Sequence, residues 1–222
     1  MTRQNIESDK SKAASRAAAL KGGAMQDAVR QSLSKEEINE LPIYRYGGEI
    51  VQVDDAAGLH AAIERLRREK VLGFDTETRP SFRKGTSHQP ALIQLACGDA
   101  VFLFLLRKLP LGPDLAALLA DPAIIKAGVA IRDDMNFLRA LYPFTPGGTV
   151  DLSDLARKNG LKVYGLRPLA ACLLQARISK SARCSNWNNS ELTEQQISYA
   201  ATDAWVSRAI YLRMRELNFN MA

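Results

Sequence analysis

Asp75 and Glu77 close an apolar run, Val71-Leu72-Gly73-Phe74-Asp75-Thr76-Glu77-Thr78. The run reads as a buried strand. Side chains on a strand alternate faces, so positions i and i+2 point the same way. Both carboxylates therefore converge on one spot at the mouth of a sheet. Two like charges about 4 Å apart repel by roughly 4 kcal/mol at an effective dielectric near 20. A divalent cation between them removes that repulsion, and hard oxygen donors of this kind suit Mg²⁺ or Mn²⁺. The plainer alternative is that one carboxylate caps a turn while the other is simply solvated.

Two further groups of residues could join the pair. In Gly128-Val129-Ala130-Ile131-Arg132-Asp133-Asp134, acids follow a buried strand, at the edge where open sheets build their sites. Asp134 shares a helix face with Leu138 and Leu141, so it points toward the sheet. Asp133 does not, and reads as an N-terminal cap. Tyr199 and Asp203 stand four apart in Tyr199-Ala200-Ala201-Thr202-Asp203, so phenol and carboxylate lie on one side of a helix that Val206 and Ile210 continue into the core. A carboxylate on such an inward face is unfavourable unless it is paired. Tyr199 alone would read as a core aromatic.

The elements that must position these side chains follow from the hydrophobic pattern. Tyr44-Arg45-Tyr46 and Ile50-Val51-Gln52-Val53 alternate like short strands around a Gly47-Gly48 turn. Asp54-Asp55 caps a helix expected to reach about Lys70, with Leu59, Ile63 and Leu66 as its apolar stripe. After the strand ending in Asp75 comes a Pro/Gly/Ser loop from Arg79 to Pro90. Residues 91–97 and 100–106 read as two strands joined at Gly98-Asp99, a hairpin signal. A helix around Leu115, a strand over 124–130, a helix from Asp133, a strand near Val150 and helical sequence through Leu169 follow. Thr193 with the Glu/Gln residues behind it starts a final helix from about Glu194 to Leu217. Three early strands followed by alternating helix and strand predict an α/β fold built on one sheet of mixed direction. Residues 1–36, rich in Ala, Ser, Lys, Arg and Gln, have little to bury and read as a flexible or partly helical basic arm; residues 37–222 read as one folded domain.

Composition narrows the class. An apolar content of 46% over 222 residues suffices for a full core. The first dozen residues lack an apolar signal core, and the longest apolar run is far short of a membrane span. Cys97, Cys172 and Cys184 are odd in number and lack CxxC spacing, which suits a reducing, cytoplasmic setting. His60 and His88 are too few for a His-rich zinc site and read as surface residues. The net charge of +6 is concentrated. Between Asp154 and Glu191 there is no acid, while Arg157, Lys158, Lys162, Arg167, Arg177, Lys180 and Arg183 fall inside that window. Such a block suggests a polyanionic partner, or else a solvated basic face.

Taken in order, Asp75-x-Glu77, Asp134 and Tyr199-x-x-x-Asp203 resemble the three Exo motifs of the DEDD exonuclease superfamily, the tyrosine marking its DEDDy branch. Ala91-Leu92-Ile93-Gln94-Leu95, Ala182-Arg183-Cys184-Ser185-Asn186-Trp187 and the block from Leu192 to Ala204 are similar to the exonuclease domain of the Werner-syndrome helicase. The likeness runs from about Ile43 to Leu217. Ala130 departs from it, standing where relatives often carry glycine. The resemblance implies an RNase H-like mixed sheet of about five strands flanked by helices on both faces. It implies two divalent cations, Mg²⁺ or Mn²⁺, held by Asp75, Glu77, Asp134 and Asp203, with Tyr199 orienting the attacking water. It further implies release of 5′-mononucleotides from nucleic-acid 3′ ends, DNA favoured over RNA. Thr76, Lys180, Arg183 and Trp187 are expected at the substrate, Trp187 either as a stacking surface or as a buried loop anchor. No membrane and no obligate protein partner are expected. The alternatives are an RNA-trimming enzyme of the RNase D kind and a non-catalytic nucleic-acid-binding regulator.

Overall fold

The computed structural model describes residues 29–79, 88–182 and 184–221. Six strands form the main sheet: β2 (Glu49–Val53), β3 (Val71–Thr78), β4 (Pro90–Ala96), β5 (Ala100–Leu105), β6 (Ile125–Gly128) and β7 (Thr149–Asp151). Their order is β2-β5-β4-β3-β6-β7. The hairpin β4–β5 and the pair β3–β4 are antiparallel, whereas β2–β5, β3–β6 and β6–β7 are parallel. The sheet is mixed, as expected, with one strand more than the expected five.

The first strand segment is placed differently from its sequence reading. β1 (Ile43–Tyr44) does not turn back onto β2 through Gly47-Gly48. It pairs in parallel with β8 (Arg177–Ile178) in a separate two-stranded sheet. The reason is Tyr46, which is buried instead of alternating. Its backbone N–H donates to Thr202 Oγ1 at 3.0 Å, and its ring packs on Trp205 with centroids 4.6 Å apart.

Period-two alternation assigns the two faces of the sheet. Leu72 and Phe74 of β3, Ile93 and Leu95 of β4, and Phe102 and Phe104 of β5 point to one side. There they meet α2 (Ala56–Leu66), α3 (Pro113–Ala120) and α4 (Ile131–Leu141) through Ile63, Leu66, Leu115, Leu118, Met135 and Leu138. Each such side chain, fully buried, is worth about 1.5–3 kcal/mol. The N-cap of α2 is Asp55, as the sequence predicts, but the helix ends at Leu66. Lys126, wholly buried in β6, donates to the carbonyls of Leu118, Asp121 and Ile124 and so ties the end of α3 to the sheet. Burial lowers its pKa to about 8.

The opposite face carries α5 (Leu152–Lys158), α6 (Leu166–Leu174) and the long α7 (Glu194–Glu216). α7 begins in a capping box formed by Thr193 and Gln196. It lies unusually close to β3, because Gly73 has no side chain. A Cβ there would stand 1.9 Å from Ala204 O and 2.8 Å from Arg208 N. Ala200, Ala201 and Ala204, all fully buried, keep the same approach clear along the helix. No described helix is long and apolar enough to cross a membrane.

This close approach generates a prediction. Gly73→Ala is expected to destabilise the protein by about 1–3 kcal/mol in urea denaturation, the usual range for overpacking. Gly47→Ala, where an added Cβ meets nothing within 4 Å, serves as the control and is expected to be near neutral. Equal effects at the two positions would contradict the packing account.

Candidate active site

The end of β3 distributes its side chains by strand parity. Asp75 and Glu77 follow Gly73 onto the α7 face, where Asp203 waits. One carboxylate oxygen from each of Asp75, Glu77 and Asp203 lies within 4.8 Å of the others. Thr76 points the other way, toward α4, and its Oγ1 donates to Asp134 Oδ1 at 2.7 Å. Its backbone N–H donates to Asp75 Oδ1 at 2.9 Å. Thr76, expected at the substrate, is thus committed by both groups to holding two of the acids. Asp134 is joined to the other three through Thr76 and lies outside their tight triad.

α4 delivers Asp134 in its first turn, but its cap differs from the expected one. The N-cap is Ala130, with φ 56° and ψ 25°, and it makes no side-chain cap bond. Asp133 is an exposed residue of the first turn and caps nothing. The left-handed backbone at Ala130 explains why glycine suits that position, since a Cβ there is disfavoured by about 1–2 kcal/mol. Just before it, Gly128 passes so close to β3 that a Cβ would lie 2.7 Å from Phe74 O.

On α7, Tyr199 sits one turn before Asp203, and each acts electrostatically on the other. Trp187 packs beneath Tyr199 with ring centroids 5.9 Å apart. It is only 2% exposed, so of its two expected roles the structure supports the loop anchor and removes the base-stacking surface. Arg183 lies outside the described residues. Lys180 is exposed and lines the same cavity as the acids.

Burial dominates the electrostatics. It raises the Asp75 carboxyl well above the usual range, with the charges of Asp203 and Asp134 adding to the effect. Burial likewise lifts Asp203 to about 7, although Tyr199 and the Arg167 charge oppose it. Asp134 is pushed to about 6, again chiefly by burial, against the bond from Thr76. Tyr199 is raised by burial first and then by Asp203 and Glu77, so its hydroxyl keeps its proton. Ionised carboxylates this close and this poorly hydrated require compensation. An all-oxygen, all-carboxylate donor set with its atoms within 4.8 Å fits a hard divalent cation such as Mg²⁺ or Mn²⁺.

Asp75, Tyr199 and Asp203 open onto a cavity of about 930 Å³, within the size range of ligand sites. Its lining is also basic, with Lys35, Arg167, Arg177 and Lys180. The basic window is therefore split. Arg157 pairs with Asp154 at 2.7 Å and stands over the Tyr164 ring, away from the acids. Arg167 donates to the Ile178 carbonyl, and Arg177 to that of Leu41 at 2.8 Å, so both build the wall as well as charge it.

The sequence reading missed one part of this wall. The short helix α1 (Lys35–Glu40) places Lys35, Ile38 and Asn39 in the cavity. The last residues of the expected flexible arm are thus docked: Lys162 N–H donates to Gln31 O, and Arg30 pairs with Glu37 at 2.7 Å. Residues 1–28 lie outside the described residues. The missed signal was Ser34 followed three residues later by Glu37, which forms a complete capping box.

The mixed sheet flanked by helices on both faces is an RNase H-like fold. Escherichia coli RNase D shares the fold, with a TM-score of 0.69 at 24% identity over 78% of this chain and 46% of that one. The Nibbler EXO domain of Aedes aegypti superposes with a TM-score of 0.68 at 25% identity, covering 76% of this chain and 88% of that one. The family model described as 3′-5′ exonuclease matches residues 50–217, and the chain belongs to that family. Among curated relatives, it is 33% identical to the mouse (Mus musculus) bifunctional 3′-5′ exonuclease/ATP-dependent helicase WRN, over 81% of this chain but 14% of that protein. It is 30% identical to a 3′-5′ exonuclease of Arabidopsis thaliana, over 85% of this chain and 71% of the relative. A ribonuclease D of Gluconacetobacter diazotrophicus is 34% identical, over 75% of this chain and 42% of its own length.

The raised carboxyls predict an unusual pH dependence for the protein without divalent cations. Between the ordinary carboxyl value of 3.8 and about 7, the folded protein holds protons that the unfolded chain has released. Folding is then opposed increasingly as pH rises through that window, and the loss levels off above it. Thermal melts in a chelator are expected to show a falling midpoint from pH 4 to pH 7. Adding Mg²⁺ or Mn²⁺ at pH 7 is expected to restore it. A midpoint that rises over this range, or one indifferent to the cations, would contradict the electrostatics described.

Proposed function

We propose that the chain is a divalent-cation-dependent 3′-5′ exonuclease of the DEDDy type, releasing 5′-mononucleotides from the 3′ ends of nucleic acid, with DNA the favoured polymer. The observation that carries this reading is the convergence of Asp75, Glu77 and Asp203 beside a cavity also lined by Lys35, Arg167, Arg177 and Lys180.

Asp75, Glu77 and Asp203 would hold one divalent cation, and Asp134, with Oδ1 already committed to Thr76, would help hold a second. Bound there, the ions supply Lewis acidity for the attacking water and offset charge on the scissile phosphate and the departing 3′ oxygen. Tyr199 keeps its proton and serves as a hydrogen-bond donor that orients the water, not as its base. Lys180 and Lys35 take the substrate backbone across the cavity, and Arg183 is assigned the same task. Binding rests on phosphate charge, so affinity should fall steeply with salt. The likeness of the stretch around Asn186 and Trp187 to the exonuclease domain of the Werner-syndrome helicase is the ground for placing DNA first. The relatives named ribonuclease D support RNA 3′-end trimming as the second reading, with the same chemistry on a different polymer.

A digestion time course on end-labelled oligonucleotides tests the proposal. Asp75→Ala and Asp203→Asn are expected to abolish release of mononucleotides while the fold persists. The second should also raise the melting point of the cation-free protein, because a buried acid is gone. Tyr199→Phe should slow hydrolysis by a factor of about 10² or more. Turnover by Asp75→Ala near that of the unaltered protein would refute the site, and an unchanged rate for Tyr199→Phe would reduce that residue to packing. Matched DNA and RNA substrates with recessed 3′ ends decide between the two polymers.

A further inference from the structure

Gln94 stands directly opposite Asp75 in the antiparallel ladder between β4 and β3. Residues so paired share one face of the sheet, with Cβ atoms about 4.5–5.5 Å apart. The Gln94 side chain therefore lies on the α7 side, next to the Asp75 carboxylate. It is 0% exposed. Neither amide atom has a hydrogen-bond partner. Apolar side chains pack around it: Leu92 and Ala96 flank it on the same face, Leu103 opposes it from β5, and Ala200, Ala201 and Ala204 of α7 join that cluster.

A primary amide is a poor choice for such a slot if packing is its only task. Buried polar side chains without partners are rare, and each marks a group whose partner acts under other conditions or a functional role. The remaining buried side-chain atoms without partners among the described residues are Trp187 Nε1 and Ser207 Oγ. Trp187 lies under Tyr199, and Ser207 lines the cavity with Asp75 and Asp203. All three surround the same cluster of acids. The fold thus leaves its unused polar capacity at the place where a cation-bearing carboxylate needs support from behind.

We infer that Gln94 is a positioning residue for the reaction proposed above, its Nε2, unpartnered here, donating to the Asp75 carboxylate when a cation is seated and fixing which oxygen faces Glu77 and Asp203. The inference rests on the cation-dependent reading of that site. Asp75 Oδ1 already accepts from Thr76 N–H on one side. A donor from Gln94 would clamp the carboxylate from the neighbouring strand as well. Outer hydrogen bonds of this kind orient ligating groups, and their loss typically weakens metal affinity or activity by about 10- to 100-fold.

The test replaces Gln94 with an apolar side chain of matched length, Gln94→Met, with Gln94→Leu as a second variant. Three quantities are read on each full-length protein: the melting point in chelator, the Mn²⁺ affinity by calorimetric titration, and single-turnover hydrolysis of an end-labelled oligonucleotide. The inference expects an equal or higher melting point, since an unpartnered amide has been removed. It also expects Mn²⁺ to bind about 10- to 100-fold more weakly, with hydrolysis falling in step at limiting Mn²⁺ and recovering at saturating Mn²⁺. Unchanged Mn²⁺ affinity in folded variants overturns the inference, as does a loss of affinity that only tracks a lowered melting point in both. An unaltered protein that binds Mn²⁺ but does not hydrolyse the oligonucleotide would instead sink the exonuclease reading. The affinity comparison would still judge Gln94.

Discussion

The mutual repulsion of carboxylates in a poorly hydrated pocket is the constraint around which this chain is organised. Two ionised groups about 4 Å apart oppose one another by roughly 4 kcal/mol at an intermediate dielectric, and burial adds its own penalty. In a protein whose net stability is on the order of 5–15 kcal/mol, that arrangement persists only because other parts of the fold hold it in place. Gly73 and the small residues of α7 bring Asp203 onto β3. Gly128 and the left-handed turn at Ala130 bring Asp134 to the other side of the same strand. Thr76, between the two acids, is fastened to both sides at once.

The same constraint accounts for the protonation pattern. Asp75, Asp134 and Asp203 all resist ionisation chiefly through burial, and Tyr199 does so through burial first and then through the acids beside it. A site that holds protons in place of cations is primed to exchange one for the other. The basic residues lining the cavity offset this only in part, the Arg167 charge opposing the rise at Asp203. Arg167 and Arg177 spend hydrogen bonds on backbone carbonyls, which fixes their charge in position, while Lys180 remains exposed.

Much of this was legible in the sequence, for physical reasons. The parity of Asp75 and Glu77 on a strand, and the four-residue spacing of Tyr199 and Asp203 on a helix, are local geometry, and the structure brings their side chains together. The hairpin at Gly98-Asp99 and the capped start of α7 are local as well. What escaped depends on contacts between distant segments. β1 abandons the expected turn because Tyr46 is drawn to Thr202 and Trp205, more than 150 residues away in sequence. Trp187 could be assigned to solvent or core only once Tyr199 was seen above it. Asp133 looked like a cap because acids favour first turns, but the chain enters α4 through Ala130. The docking of α1 onto the cavity required Arg177, whose charge was legible but whose tie to Leu41 was not.

The central claim is that Asp75, Glu77 and Asp203 together form a seat for a divalent cation. Anomalous diffraction from crystals soaked in Mn²⁺ tests it most directly. The account predicts an anomalous peak within coordination distance of all three carboxylates, lost in Asp75→Ala. A fully soaked crystal with no peak among them, or with manganese bound only elsewhere on the molecule, would contradict it.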